Sequence, residues 1–516
     1  MKNKKGFTLI ELLAVIIILA VIALIATPIV LNVIDNARKS ANKDSAYGLL
    51  DSAKLYYMES LLDESKSLNG NLIDKINVSG SKPDSGTVYI NDKGEIALSV
   101  VYDKVCFTKN YEDADLTESD DIENCIVTVP RELYKDTVLN GADPELKDNL
   151  VAVTINTDGT VKKADIYSEW YNYTNKTWAN AVLLNGDDTY KVGDTIEENN
   201  IKAYYVWIPR YKYQIFYDGV NDTTKQLINI EFENKDTTKS NSTTKGEWLT
   251  HPAFTFGDTE LNGIWVGKFE LTGDTTNPTI KPKVTSLRNQ NVSTLFATTQ
   301  KLSTNSSMLK NIEWGAIAYL TTSIYGQGLN EVRINNSSTF ITGCAASVEN
   351  GVSYTGCENA YNTTTGYLAS TTGNISGIYD MSGGAWEYVM GVMEDSLNSN
   401  TPSSGYSTQY NSGFSGKNLN DGTTTTGVAF PESKYYDIYK YGTTFNDVPA
   451  YSRYHLGDAT TETKDWNSDI SYFIFSTFPF FRRGLDYSGS NGAGIFAISH
   501  ENGYGYDFNA SRAVLR

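Results

Sequence analysis

The chain has 516 residues, a length that suits about three domains. Its formal net charge is −18, which argues against a basic surface for nucleic acid, and loss of Lys2, Lys4 and Lys5 with a leader would make the remainder more acidic still. The four cysteines show no C-x-x-C spacing and His251, His455 and His500 are scattered, so no zinc site, no other metal and no cofactor is expected.

The first readable element is "KGFTLIELLAVIIILAVIALIATP". Leu12 to Leu31 is twenty residues without a charge, and at about 1.5 Å per residue it spans roughly 30 Å of hydrocarbon. Lysines precede this stretch and no basic residue follows until Arg38, which puts the N-terminus in the cytoplasm and the rest outside. Glu11 is then a carboxylate at the edge of lipid. No cation on the same helix lies within its reach, so its partner belongs to another molecule. An ordinary secretory signal would have a shorter apolar core and a small-residue cleavage site at its far end.

"KKG" followed by "FTLIELL" resembles the class III signal of type IV prepilins. The resemblance implies that a prepilin peptidase cuts after Gly6 and that the new terminus, Phe7, is N-methylated. It also implies that Glu11 neutralises the terminal amine of a neighbouring pilin subunit during assembly, and that Pro28 kinks the helix.

Beyond the span, Ile34, Ala37, Ala41, Leu49, Ala53 and Tyr56 keep close to a helical period, so the helix is expected to continue. "TVYIN", "DKG" and "EIALSVV" read as strand, turn and strand, and "KVCFT" and "CIVTV" as two further strands. Between the last two, "NYEDADLTESDDIEN" holds seven acids in fifteen residues. Glu118 stands where a calcium loop needs glycine, so a solvated acidic loop is the expectation. Three disulfide connectivities are open to four cysteines. The local pairs Cys106 with Cys125 and Cys344 with Cys357 are expected, since each falls within one predicted domain.

The fold class is therefore expected to be α+β. Its parts are a leader at 1–6, a pilin-like module at 7–130 with its membrane helix at 7–31, a β-rich connector at 131–200, and a large irregular α/β domain at 201–516. The connector carries "NLVAVTINTDGTVKKADI", which alternates about a turn. In the last domain, short apolar runs alternate with turn residues, and the Asn/Thr/Ser-rich stretches 218–246 and 396–426 read as exposed insertions.

Within that domain "GIYDMSGGAWEYV" is similar to the "DMSGNVWEW" signature of the formylglycine-generating-enzyme, or sulfatase-modifying, family. "GIWVGKFELT" and the closing "FFRRGLDYSGSNGAGIFAISHENGYGYDFNASRAVL" resemble that family's early strand and final region. The resemblance implies an elaborated C-type-lectin fold. Read from the residues alone, Gly383 and Gly384 permit a tight turn, Met381 and Trp386 anchor it, and Asp380 and Glu387 can hold backbone amides or arginines. Family oxidases use late active-site cysteines with copper. No cysteine follows Cys357, and Ala510 and Ser511 cannot serve as soft ligands, so no catalytic residue is assigned.

From Leu485 to Ser511 the side chains are largely those that adenine-directed mutation of AAC-type codons yields, which resembles the variable regions of retroelement-diversified C-type-lectin proteins. Tyr, Ser, Gly and Asn also make adaptable binding surfaces. The expected contact residues are Asp486, Tyr487, Ser488, Ser490, Asn491, Ser499, His500, Glu501, Tyr504, Tyr506, Asp507 and Phe508. The reading is a cell-surface minor pilin or pseudopilin that presents a ligand-binding domain to a protein or glycan. An extracellular enzyme related to the sulfatase-modifying family is the alternative.

Overall fold

Helix α1 (Leu9–Ser60) starts at a reciprocal cap, in which Thr8 Oγ1 accepts the Glu11 amide at 3.3 Å and the Glu11 carboxylate accepts the Thr8 amide at 2.9 Å. The computed structural model describes residues 8–516 except 63–65, 67, 69, 79, 92, 128–131, 148, 218, 220–223, 243, 394–411, 418–423, 440–455 and 475–477, with backbone alone at 416–417 and 424–425. The described chain divides into two compact units between Glu132 and Leu133.

In the first unit α1 is 52 residues long, about 78 Å at the helical rise. It is the one helix among the described residues that is long and apolar enough to cross a membrane. Pro28 lies inside it and offers no N–H to the Leu24 carbonyl, while Thr27 Oγ1 donates to the Ala23 carbonyl at 2.6 Å. Apolar side chains from Leu9 to Ile34 are exposed. Further along, Ala46, Leu49, Leu50, Ala53 and Tyr56 fall on one face and are buried against Val88, Leu98, Val100 and Phe107.

Those partners belong to an antiparallel sheet of β1 (Ser85–Ile90), β2 (Ile96–Tyr102), β3 (Val105–Lys109) and β4 (Thr117–Ser119), in that order. Asp103 and Lys104, both at positive φ, make the two-residue turn between β2 and β3. The fourth strand differs from the expected "CIVTV". The chain leaving β3 turns back at Asn110–Asp113, so Thr117–Ser119 from the acidic stretch reaches the β3 edge first. Cys125 is instead joined to Cys106 by a disulfide, with 5.6 Å between Cα atoms.

The second unit corrects the expected connector. β5 (Leu150–Ile155), β6 (Val161–Lys163) and β7 (Asn180–Leu184) join β8 (Ile201–Pro209) in a seven-stranded antiparallel sheet. Its order is Ser306–Met308, Ala513–Leu515, Gly263–Gly267, β8, β7, β5, β6. Four successive residues of β5, Leu150 to Val153, are buried, and so are Asn180 to Leu183 of β7. Strands buried on both faces cannot form a free-standing spacer, so residue 200 marks no boundary.

A second sheet is built on Trp386–Met393, which pairs antiparallel with Phe480–Gly484 and parallel with both Asp437–Tyr439 and Asn509–Ser511. Phe480–Gly484 pairs in turn with Gly494–Glu501. Helices are short here: α2 (Val292–Thr299) and α3 (Asn311–Thr321), the latter buried throughout. The stretch 218–246 is not a wholly exposed insertion, because Ile230, Phe232 and Glu233 are buried and Asn229–Phe232 forms a strand. Most of 396–426 lies outside the described residues, and Ser412 and Phe414 within it are buried. Cys344 and Cys357 form the second disulfide, with Cα atoms 5.4 Å apart.

Candidate functional site

Two regions hold the residues singled out in the sequence, one in each unit. Gly6 and Phe7 lie outside the described residues. Glu11 is described, and its carboxylate closes the cap on the first turn of α1, with bonds to the Thr8 amide at 2.9 Å and the Thr8 hydroxyl at 3.0 Å. A carboxylate in the first turn also faces the positive end of the helix dipole. Both bonds come from a neutral donor, which leaves its charge uncompensated by any cation among the described residues.

In the second unit the candidate surface rests on a buried polar core. Arg512 donates from Nε to Glu387 at 3.1 Å, from Nη1 to the Gly267 carbonyl at 2.8 Å and from Nη2 to the Tyr379 carbonyl at 2.9 Å. Its second contact with Glu387 completes a bidentate pair, fully buried on both sides. Burial lifts the Glu387 carboxyl to about 7 against the pull of Arg512. Asp380, at φ +62°, accepts the Gly343 amide and the Asn335 side-chain amide, both at 2.8 Å. Glu270 accepts the Ala385 amide at 2.8 Å and the Ser286 hydroxyl. Burial, with Asp380 and Glu387 nearby, raises the Glu270 carboxyl well above its ordinary value. Gly383 has φ +74°, and a Cβ there would lie 2.4 Å from the Asn335 carbonyl, so the turn tolerates no larger residue.

Above this core the chain from Gly503 to Phe508 lays out three rings in a row. Tyr504 meets Tyr506 edge-on at 5.1 Å between ring centres, and Tyr506 stacks on Phe508 at 5.2 Å. Tyr504 is 49% exposed. The backbone under the rings is held by the Tyr388 hydroxyl donating to the Tyr504 carbonyl at 2.9 Å and the Trp386 amide donating to the Phe508 carbonyl at 2.9 Å. A side chain at Gly505 would run into the backbone of Gln290 at 2.7 Å. Tyr487 is brought to the same neighbourhood: it packs edge-on against Phe340 at 4.9 Å, and both it and Phe508 flank the small cluster of Phe340, Ala385 and Ala510.

The other expected contact residues divide. Ser488, Asn491 and Asp507 are exposed, and Asp486, Ser490, Tyr506 and Phe508 are partly so. Asp486 spends one oxygen on the Ser488 amide at 2.9 Å. Ser499 and Glu501 do not belong to the surface. They lie in the strand Gly494–Glu501, where Ser499 is 6% exposed, and Glu501 pairs with Arg482 at 3.3 Å. His500, half-buried, has its Nδ1 3.0 Å from the Phe473 carbonyl, and burial lowers its pKa.

Arg482 and Arg288 were not among the expected residues. The Arg482 guanidinium sits 4.5 Å over Trp386 and 5.7 Å from Phe508, and Arg288 sits 3.8 Å over Phe340. The dipeptide Arg482–Arg483 was the available signal. Alternation along a strand sends Arg483 the other way, where it donates to the Ala459 carbonyl at 3.0 Å.

Residues 1–27 match the family model described as the prokaryotic N-terminal methylation motif. No curated protein matches the chain. With that motif and the apolar helix that follows it, the chain carries a type IV prepilin-like N-terminus and fits a single-pass membrane protein or a pilus-assembled one.

Proposed function

We propose that this is a minor pilin or pseudopilin whose second unit is a C-type-lectin-like binding domain, displayed at the cell surface for adhesion or receptor recognition. The observation that carries the binding role is the row Tyr504, Tyr506 and Phe508, partly solvent-facing yet fixed from below by backbone hydrogen bonds. Rigid aromatic rings surrounded by Ser, Asn and Asp give contact area at low entropic cost. Processing by a prepilin peptidase and assembly with other pilins follow from the methylation motif. The N-terminus is read as cytoplasmic, from the lysines before the span.

The reading is non-catalytic. Both cysteines of the second unit are joined in a disulfide, and the late positions Ala510 and Ser511 offer no thiol, which leaves a copper-dependent oxidation without its ligands in this chain. Diversification of 485–511 by a retroelement is a further part of the proposal. Comparison of the gene with a near-copy elsewhere in the genome tests it, since substitutions confined to adenines of the copy are expected.

Binding is tested by presenting the protein to candidate cell surfaces and comparing wild type with a Tyr504→Ala/Tyr506→Ala variant of equal melting temperature. Loss of central aromatic anchors is expected to cost about 2 kcal/mol or more, near thirtyfold in affinity. Undiminished binding by the folded variant would move the site away from these rings.

A further inference from the structure

A small cavity of about 10 Å³ lies in the second unit between the loop 331–334, the disulfide-closed loop and the turn at Ser490–Ala493. Such a space takes one water or one ion. Its polar lining is Glu331, Glu349, Asn350, Ser382 and Ser490, with Arg333 at one side. Arg333 donates from Nη1 to the Ser347 carbonyl at 2.9 Å.

The lining is not satisfied from within the protein. Ser382 is 1% exposed and its buried hydroxyl has no hydrogen-bond partner. Neither Glu331 nor Glu349 has a hydrogen bond or ion pair among the described residues. Glu331 is half-buried, and Lys225 is the cation whose charge it senses. Lys225 does not close the gap, because its ammonium is already given to the Leu329 carbonyl at 3.1 Å and the Asn467 side chain at 2.7 Å. Asp469, the remaining acid that senses Glu331, is 3% exposed and accepts the Phe496 amide at 2.9 Å. A partly buried carboxylate without a donor is unfavourable unless a proton or a cation joins it.

We propose that this cavity binds a calcium ion through Glu331, Glu349 and the Ser382 hydroxyl. The donors are all hard oxygens with no imidazole or thiolate, which selects Ca²⁺ over zinc or copper. Two carboxylates from separate loops also suit an irregular shell better than the octahedron that Mg²⁺ demands. Among the described residues no group of three or more His, Cys, Asp or Glu converges, so the proposed site is built from two carboxylates and a hydroxyl, against the sequence expectation of no metal. The ion would fasten the Cys344–Cys357 loop, which carries Glu349, to the segment that carries Ser382.

The test is calorimetric titration of CaCl₂ into the full chain, purified in detergent and stripped with EDTA, at near-neutral pH. One site with a Kd on the order of 10⁻⁴ to 10⁻³ M is expected, the range of extracellular modules. Glu331→Gln and Ser382→Ala should each weaken it at least tenfold. Glu349→Gln, at an exposed position where folding is not at issue, should do the same. Terbium should report the site independently through sensitised emission from Trp386, which shares an apolar cluster with Ile334 and Ala493 at the cavity wall. Absence of any heat or melting shift up to about 10 mM Ca²⁺, or binding that survives Glu349→Gln unchanged, would overturn the assignment.

Discussion

The Glu462 carboxylate accepts from Tyr319 at 2.8 Å, from Tyr213 at 3.0 Å and from the Gly457 amide, with no cation paired to it among the described residues. Burial lifts it from 4.5 to about 7, although these three donors pull the other way. The folded chain therefore binds this proton more tightly than the unfolded chain does. The contribution is complete below about 4.5 and is lost as pH rises through about 7. Calorimetric melting of wild type should show that decline, and Glu462→Gln should make it shallower, the remainder coming from raised carboxyls such as Glu387. Arg512→Met makes a different demand, because it strands Glu387 in the core. A cost of about 3 to 5 kcal/mol is expected in urea unfolding, as for other broken buried pairs. The sequence announced Glu387 and Asp380 as holders of amides and arginines, and the structure gives each such partners. It did not announce that Ser499 and Glu501 are buried. Their glycine-rich surroundings read as loop, whereas pairing with Phe480–Gly484 makes them strand, and strand pairing is not a local property.

At the scale of elements, α1 was the most legible, since an uncharged apolar run followed by a 3.6-residue period leaves little choice. Its cap suggests how Glu11 acts. The Thr8 bonds hold the carboxylate at the helix start while supplying no positive charge, and under the proposed assembly role an amine from another subunit would supply it. Glu11→Ala should leave membrane insertion intact and reduce incorporation into pili, as read by comparing membrane and sheared-filament fractions. Equal incorporation would remove the intersubunit role. β1, β2 and β3 were equally readable from alternation and turn residues. The strands β5 and β6 were recognisable as strands, but their sheet was not, because they join it through β7, whose further partner starts at Ile201, beyond a composition change that suggested a boundary. The polar segment 218–246 misled in the same way, since Phe232 and Ile230 are buried by tertiary packing that surface-like composition conceals.

For the whole molecule, the methylation motif predicts that the mature chain starts at Phe7 carrying one added methyl group. Mass spectrometry of the purified N-terminal peptide should show this, and an intact Met1 would exclude the processing. The second unit raises a matter of order in time. Ala513–Leu515 inserts between Ser306–Met308 and Gly263–Gly267, one strand in from the edge of the seven-stranded sheet, and Arg516 beside it pairs with Glu313 of α3. A ribosome delivers these residues hundreds of positions after β5. Until they arrive, Gly263–Gly267 has an open side where Trp265 and Val266 await Leu515 and Val514. Until then the nascent unit is a split sheet, and a chain interrupted before Ala513 is left with an unpaired apolar edge that proteolysis and aggregation can recognise.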